Sequence, residues 1–269
     1  MTVWAVDSHV HFHKCFDEGL FFDSCFNNLR RLAPSSNKGG ILFFTEGKNE
    51  DSFNYLRSKP KIKSASNENV SYVINEIGER KAIEVKWLEA GMRILIFPGF
   101  QIVTEEKLEV LSLGTNKRLS DGLLIEDTIS DVISLGGIPV VPWAFGKWYD
   151  KRGKKIDDLI RKKIPHLFLG DNGGRTSLLP FPGHFKSAQT NGIKILPGSD
   201  PLPFMNEARR PLSYGFLVVV DINESDPWES VKETLLNVNL KIEKFGRLTT
   251  PLSFIKTQLA MQIKKRKDK

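Results

Sequence analysis

The chain has 269 residues, of which 40% are hydrophobic and 26% are charged, and its formal net charge is +7 at pH 7. This length suits one α/β barrel or two small domains, and the composition is ordinary for a globular protein. No apolar run reaches the ~18 residues of a membrane span, and no secretory signal pattern is present. Cys15 and Cys25 are expected to stay reduced, which predicts a cytoplasmic protein.

Much of the net positive charge lies in the last six residues, 264–269, of which five are basic and one is acidic. Such a basic tail is typical of a solvated, frayed helix end, and a loose electrostatic contact with nucleic acid or an anionic membrane is the alternative. No base-stacking aromatic residues recur at regular spacing, so no specific nucleic-acid partner is predicted.

The first element is a short apolar strand over residues 3–6, and His9-Val10-His11 follows it directly. Residues i and i+2 of a strand point the same way, so the two imidazoles are expected to face one side together. His13 is close behind, so three of the five histidines lie within five residues. The spacing favours metal chelation over histidines that only form hydrogen bonds.

The next elements are a helix over residues 16–32 and a buried strand over 41–44, which ends at Thr45-Glu46-Gly47. Residues 60–86 are less regular. Strands over 70–74 and 82–86 predict an antiparallel insertion there, and a buried strand over 92–97 and another over 109–113 follow.

Strand and helix then alternate. The predicted helices cover residues 121–135, 154–163 and 184–191, and the predicted strands cover 138–141, 166–169, 195–197 and 216–221. Two further helices end the chain. This alternation favours a parallel α/β fold, and the absence of a clean linker predicts one domain over residues 1–269.

Polar side chains collect just after these strands, where α/β barrels place their active sites. Asp171 and Asp200 follow later strands, as Glu46 follows the second. Two imidazoles with carboxylates suit one divalent ion of Zn, Mn or Fe. Cationic side chains in the same turns would bind an anionic small-molecule substrate, and the candidates are Lys147, Arg175 and Arg209 within the pair Arg209-Arg210.

The order of these motifs resembles that of the polymerase and histidinol phosphatase (PHP) superfamily of metal-dependent phosphoesterases. His9-Val10-His11 matches the opening motif, Thr45-Glu46-Gly47 the second, Gly99-Phe100-Gln101 the third and Ser199-Asp200-Pro201 the last. Glu109-Val110-Leu111 and Pro142-Trp143 fall where Glu-x-His and His-Pro are expected. Four histidines of the family motifs are replaced in this chain, and one carboxylate is lost because Gln101 stands where the family has Glu.

The resemblance covers about residues 3–220 and implies a distorted TIM-like (β/α)7 barrel. It implies a hydrolase acting on a phosphoester or another anionic small molecule. His9, His11 and Asp200 would hold one metal, with Glu46, Gln101 and Asp171 as further ligands. Asp200 or Glu46 would accept a proton from the attacking water.

Two alternatives stay open at the level of sequence. The lost ligands would also fit a catalytically degenerate barrel that binds a small molecule or a protein. An amidohydrolase-type C–N hydrolase also opens with His-x-His, but this chain has no histidine between His13 and His166. The substrate, the metal and the oligomeric state do not follow from the sequence.

Overall fold

The computed structural model describes residues 2–32 and 38–267 of the chain. Its strands, in chain order, are β1 Val3–Val10, β2 Lys38–Phe44, β3 Lys61–Lys63, β4 Ser71–Ile77, β5 Ala82–Trp87, β6 Met92–Phe97, β7 Gly99–Val103, β8 Glu109–Leu113, β9 Ile138–Pro142, β10 Phe168–Asn172, β11 Ile195–Gly198, β12 Tyr214–Val219 and β13 Glu243–Gly246. The helices are α1 Glu18–Leu32, α2 Ser52–Arg57, α3 Ile125–Ser134, α4 Asp150–Lys162, α5 Gly183–Thr190, α6 Pro227–Leu236 and α7 Pro251–Lys267.

These strands form two mixed sheets. The larger has eight strands in the order β13-β12-β1-β2-β6-β5-β4-β3, and the smaller has five in the order β11-β10-β9-β8-β7. Only β1, β2 and β6 run parallel within the larger sheet, and only β9, β10 and β11 within the smaller. The strands predicted over 70–74 and 82–86 are confirmed as the antiparallel pair β4 and β5, which lies between β6 and the edge strand β3 of the larger sheet.

The predicted (β/α)7 barrel is therefore wrong. A parallel barrel requires the first and last parallel strands to form a ladder with each other. Here both edges of β1 are occupied, by β2 on one side and by antiparallel β12 on the other, with Val3 opposite Val219 and Val6 opposite Phe216. The hairpin of β7 and β8 then turns the chain back on itself and interrupts the parallel order.

The two sheets meet at a few backbone hydrogen bonds near the carboxyl ends of their parallel strands. The Asp200 amide donates to the His9 carbonyl at 2.8 Å, which joins the end of β11 to the end of β1. The Glu46 amide donates to Gly99 at 3.0 Å, and the Gln101 amide donates to Glu46 at 2.9 Å, which joins the end of β2 to β7. These contacts bring residues from distant parts of the chain to one place.

A buried carboxyl group strengthens the first of these contacts. Asp7 in β1 accepts hydrogen bonds from the amides of Ser199 at 2.8 Å and Leu212 at 2.9 Å. Burial raises the pKa of Asp7 to about 6, although these hydrogen bonds act to lower it. Asp7 thus links β1 both to the turn after β11 and to the segment that leads into β12.

The core consists of apolar clusters on the faces of the sheets. Aromatic residues of α1 pack on the outer face of the larger sheet, where Phe21, Phe22 and Phe26 are fully buried. Each such side chain contributes ~1.5–3 kcal/mol through burial. Trp4, Phe43 and Trp228 lie in a second cluster that contacts strands of both sheets, and a third packs α3, α4 and α5 against the smaller sheet.

The helices predicted over 16–32, 121–135, 154–163 and 184–191 are confirmed as α1, α3, α4 and α5, with ends shifted by up to four residues. The basic tail is partly included in α7, where the Lys264 ammonium donates to the Pro203 carbonyl at 3.0 Å. Within residues 2–32 and 38–267, no helix combines the length and apolar character of a membrane span.

Candidate metal centre

Four side chains from three distant parts of the chain point at one spot. The Nε2 atoms of His9 and His11 are 3.2 Å apart, and Gln101 Oε1 lies 3.1 Å from the first and 3.2 Å from the second. Asp200 Oδ1 lies 3.5 Å and 3.7 Å from the same two nitrogen atoms. The histidine pair and Gln101 are 90 or more positions apart in the sequence, and the contacts between the two sheets bring them together with Asp200.

Local backbone geometry produces this convergence. A register shift between Asp7 and Val10 marks a bulge in β1, just where His9 lies. A Cβ on Gly198 would lie 2.5 Å from the backbone nitrogen of His9, so only glycine lets β11 approach β1 this closely. Asp200 has a φ of +46°, a left-handed conformation that Asp tolerates better than most residues.

These residues fit a divalent cation. Two imidazole nitrogens, a carboxylate oxygen and an amide oxygen match the ligand types of Zn²⁺, Mn²⁺ and Fe²⁺. Burial lowers the pKa of His9, whereas burial of His11 is outweighed by Glu50 and Asp200, which raise its pKa. Burial acts to raise the pKa of Asp200, but the neighbouring His9 and His11 outweigh it and hold the pKa below its ordinary value. Asp200 is therefore ionised near neutral pH.

Two amide side chains are oriented by their own partners. Gln101 Nε2 donates to Glu109 Oε1 at 3.2 Å, so that Gln101 Oε1 faces the imidazoles. Asn172 Oδ1 accepts from the Gly174 amide at 2.6 Å, which turns its Nδ2 toward Asp200 Oδ2, to which it donates. Such outer contacts fix the direction of ligand atoms.

A second group of potential ligands adjoins the first and consists of His11, His13 and Glu50. His13 Nδ1 lies 2.9 Å from Glu50 Oε1, and His11 Nδ1 lies 3.5 Å from Glu50 Oε2. Burial acts to raise the pKa of Glu50, but its contacts with both histidines outweigh burial and lower it strongly. The two groups share His11, whose Nε2 faces Asp200 and whose Nδ1 faces Glu50 without a hydrogen bond in the part of the chain that the structure describes. Sequence reasoning missed Glu50, although His13 continued the alternating pattern.

The cluster lines a cavity of about 450 Å³. Two cations line this cavity, Lys147 and Arg210, and each contacts a carboxylate. Lys147 donates to Glu109, and Arg210 Nη1 lies 3.4 Å from Glu207. Apolar walls are formed by residues that include Trp143, Phe145, Phe254 and Met261. The cavity lining thus combines polar and apolar side chains.

The structure does not bring all predicted site residues into this cavity. Glu46 follows β2 as expected, but its Oε1 accepts from the Phe53 amide at 2.6 Å at the start of α2. Burial raises the pKa of Glu46. Arg209 is exposed and lies outside the cavity lining, whereas its neighbour Arg210 is part of it. The predicted roles of Glu46 and Arg209 at the metal and substrate are therefore not supported by their positions.

Asp171 and Arg175 form a separate buried ion pair outside the cavity lining. Arg175 Nε and Nη2 lie 3.0 Å and 3.2 Å from the two oxygens of Asp171. Tyr214 donates to the same carboxylate at 2.6 Å, and Lys244 donates at 3.1 Å. Both carboxylate oxygens of Asp171 are thus occupied by the Arg175 guanidinium. Asp171 is not placed to bind the cation, and Arg175 is not placed to bind a substrate.

No protein-family model and no curated protein matches the chain. The chain is similar in fold to the crystal structure of PsfC from Pseudomonas syringae PB-5123, with a TM-score of 0.55 and 12% sequence identity. The match covers 97% of this chain and 99% of that chain. The likeness therefore concerns the architecture as a whole, and at this identity it concerns the fold alone.

Proposed function

We propose that this protein is a metal-dependent hydrolase whose substrate is a phosphoester or another anionic small molecule. One observation carries the proposal: the convergence of His9 Nε2, His11 Nε2, Gln101 Oε1 and Asp200 Oδ1 at 3.1–3.7 Å. These atoms can donate lone pairs to a cation, and their residues line a cavity that two cationic side chains also line. The motif resemblance to PHP phosphoesterases supports the same chemistry, although the barrel it implied is not formed.

The roles of the residues follow from their positions. His9, His11, Gln101 and Asp200 would hold one divalent ion, which supplies Lewis acidity for activating water and polarising a phosphoryl oxygen. Lys147 and Arg210 would bind the anionic group of the substrate. Of the two carboxylates predicted to accept a proton, only Asp200 reaches the cavity, so we assign that role to it.

The proposal is tested by metal analysis and by hydrolysis with the same protein. Protein purified without a histidine tag is loaded with Zn²⁺, Mn²⁺ or Fe²⁺ and dialysed, and its metal content is measured by mass spectrometry. We expect about one ion per chain in the wild type and near-zero content in His11→Ala. His166→Asn is the matched control, because His166 is exposed and Asn tolerates its positive φ.

Hydrolysis of p-nitrophenyl phosphate and of bis-p-nitrophenyl phosphate is then measured on the same samples. We expect turnover in the loaded wild type and in His166→Asn, and its loss in His11→Ala. Equal, near-zero metal in all three proteins would contradict the metal centre. Metal binding without turnover of any ester would instead identify a non-catalytic binding module, the second function considered from the sequence.

The predicted cytoplasmic location belongs to this proposal. Both cysteines are free thiols, Cys15 exposed and Cys25 buried. Burial raises the pKa of Cys25 well above its ordinary value, so its thiol is unreactive. Reduced cysteines are typical of proteins from a reducing compartment.

A further inference from the structure

The C-terminal helix α7 has two apolar faces. One faces the cavity, where Phe254 and Met261 form part of the wall. The other carries four aliphatic side chains that are 55–64% exposed, and they are Leu252, Ile255, Leu259 and Ile263. Their spacing of three and four residues places them in one row along the helix. We call this row the aliphatic stripe of α7.

Positive charge borders the aliphatic stripe. The sequence of α7 contains five Lys or Arg residues and no Asp or Glu. Lys256 lies one turn from Leu252, and Arg266 lies three residues after Ile263; both are exposed. Helical spacing therefore puts these two cations on the same side of α7 as the stripe.

We propose that the aliphatic stripe of α7 docks on an anionic membrane surface, with Lys256 and Arg266 at the lipid headgroups. An exposed aliphatic row bordered by basic side chains can lie against an anionic bilayer surface, with the aliphatic groups at the acyl boundary and the cations at the headgroups. Each basic residue near an anionic surface adds to the attraction. This inference is independent of the hydrolase proposal, because none of the stripe residues lines the cavity.

The charge distribution decides among possible occupants. A second copy of this chain would place one acid-free, basic helix against another, and like charges at an interface oppose association. Protein interfaces also rely on aromatic and Arg anchors that enter pockets, whereas the stripe is purely aliphatic. An anionic lipid surface accepts both the aliphatic row and the cations.

Docking would hold the cavity close to the membrane. The same helix turns Phe254 and Met261 to the cavity and the stripe outward. One helix with its side chains is ~10–12 Å in diameter. The cavity would therefore lie about one helix diameter from the headgroups.

The full chain is mixed with sucrose-loaded vesicles of pure phosphatidylcholine or of phosphatidylcholine with 30% phosphatidylserine, and bound protein is measured by sedimentation. We expect binding to the anionic vesicles that weakens in 0.5 M NaCl, and little binding to the neutral ones. The triple variant Ile255→Gln, Leu259→Gln, Ile263→Gln should bind at least tenfold less. Lys256→Gln and Arg266→Gln should each weaken binding about fivefold.

The double variant Leu88→Gln, Val238→Gln is the matched control, because both residues are exposed aliphatics away from α7, and it should bind as the wild type does. Equal binding to both vesicle types, or wild-type binding by the triple variant, would overturn the proposal. A wild-type dimer in sedimentation velocity that the triple variant dissociates would identify a self-interface instead. Stripe-dependent binding to immobilised poly-glutamate without binding to anionic vesicles would overturn the lipid in favour of an acidic protein.

Discussion

At the scale of the residue, the candidate metal centre depends on side chains that are not themselves proposed metal ligands. Glu109 orients the Gln101 amide, and Asn172 orients Asp200. The Gly174 amide in turn fixes the Asn172 side chain. The geometry at the imidazoles is thus set by a shell of hydrogen bonds.

Asn172→Ala should weaken metal binding about 10–100-fold, the range usual for loss of a partner that orients a ligand. The reason is that Asp200 loses the donor to Oδ2 and can rotate away from His9. Calorimetric titration with Zn²⁺ or Mn²⁺ measures the effect. Asn239→Ala, at an exposed position, is the control. Unchanged affinity in Asn172→Ala would show that the backbone alone holds Asp200.

The two arginines near the site should respond in opposite ways. Arg175→Ala leaves Asp171 and Tyr214 buried without their main cation, and breaking such a pair costs ~3–5 kcal/mol of the free energy of unfolding. Arg210→Ala should instead leave stability nearly unchanged and weaken phosphate binding about tenfold or more, since one charge-assisted hydrogen bond is lost. Urea denaturation and calorimetry with phosphate separate the two effects. Loss of phosphate affinity in folded Arg175→Ala would contradict the assignment.

At the scale of the element, the site depends on the close approach of β11 and β1. These strands form no continuous ladder, and single contacts such as Asp200 amide to His9 carbonyl connect them. Gly198 permits the approach, because a Cβ there would lie 2.5 Å from both the Cβ and the nitrogen of His9. Asp7 secures it through the Ser199 amide.

Gly198→Ala should lower the free energy of unfolding by ~1–3 kcal/mol, because the new methyl group forces the backbone of β11 away from β1. Metal affinity should fall as well, since Asp200 moves with β11. Gly183→Ala is the control, because a Cβ at this first residue of α5 meets no atom within 4 Å. Denaturation and metal titration of both variants test this. If Gly198→Ala were as stable as Gly183→Ala, β11 and β1 could accommodate the added methyl group without loss of stability, and the prediction would be wrong.

At the scale of the whole molecule, two mixed sheets are joined near their polar strand ends, and buried ionic groups stabilise the joint. Asp171 in β10 accepts hydrogen bonds from Tyr214 in β12 and Lys244 in β13, so it connects the smaller sheet to the larger one. Burial acts to raise the pKa of Asp171, but Arg175, Lys244 and Tyr214 outweigh burial and lower it.

The lowered pKa of Asp171 predicts acid sensitivity. A carboxyl group whose pKa is lower in the folded than in the unfolded chain stabilises the fold at a pH above its unfolded pKa, which is 3.8 for Asp171. This contribution is lost as the pH falls through the folded pKa. The midpoint temperature of thermal unfolding should therefore decrease as the pH is lowered below 3.8. The decrease should be smaller in Asp171→Asn. Calorimetry from pH 6 to pH 2 measures both. Parallel curves for the two proteins would contradict a role for this carboxylate.

The sequence by itself determined the local elements and the chemistry of the candidate site. Hydrophobic periodicity is a local property, so it predicted α1, α3, α4 and α5 and the antiparallel strands β4 and β5. His9, His11 and Asp200 were also found from sequence, because polar residues that follow buried strands stand out from their surroundings, whereas Gln101 was implied only by the motif resemblance. Their convergence in space is what the tertiary structure added.

Only the tertiary structure decided the pairing of the strands and the direction of each side chain. Sheet order depends on contacts between distant residues, such as β1 with β12, which no local pattern encodes. Neighbouring residues on a strand face opposite sides, so a shift of one position exchanges Asp171 for Asn172 at the cavity. Arg209 and Arg210 lie at the end of a short 3-10 helix, Met205–Arg209, where successive side chains also point in different directions, and Arg210 is the one that lines the cavity.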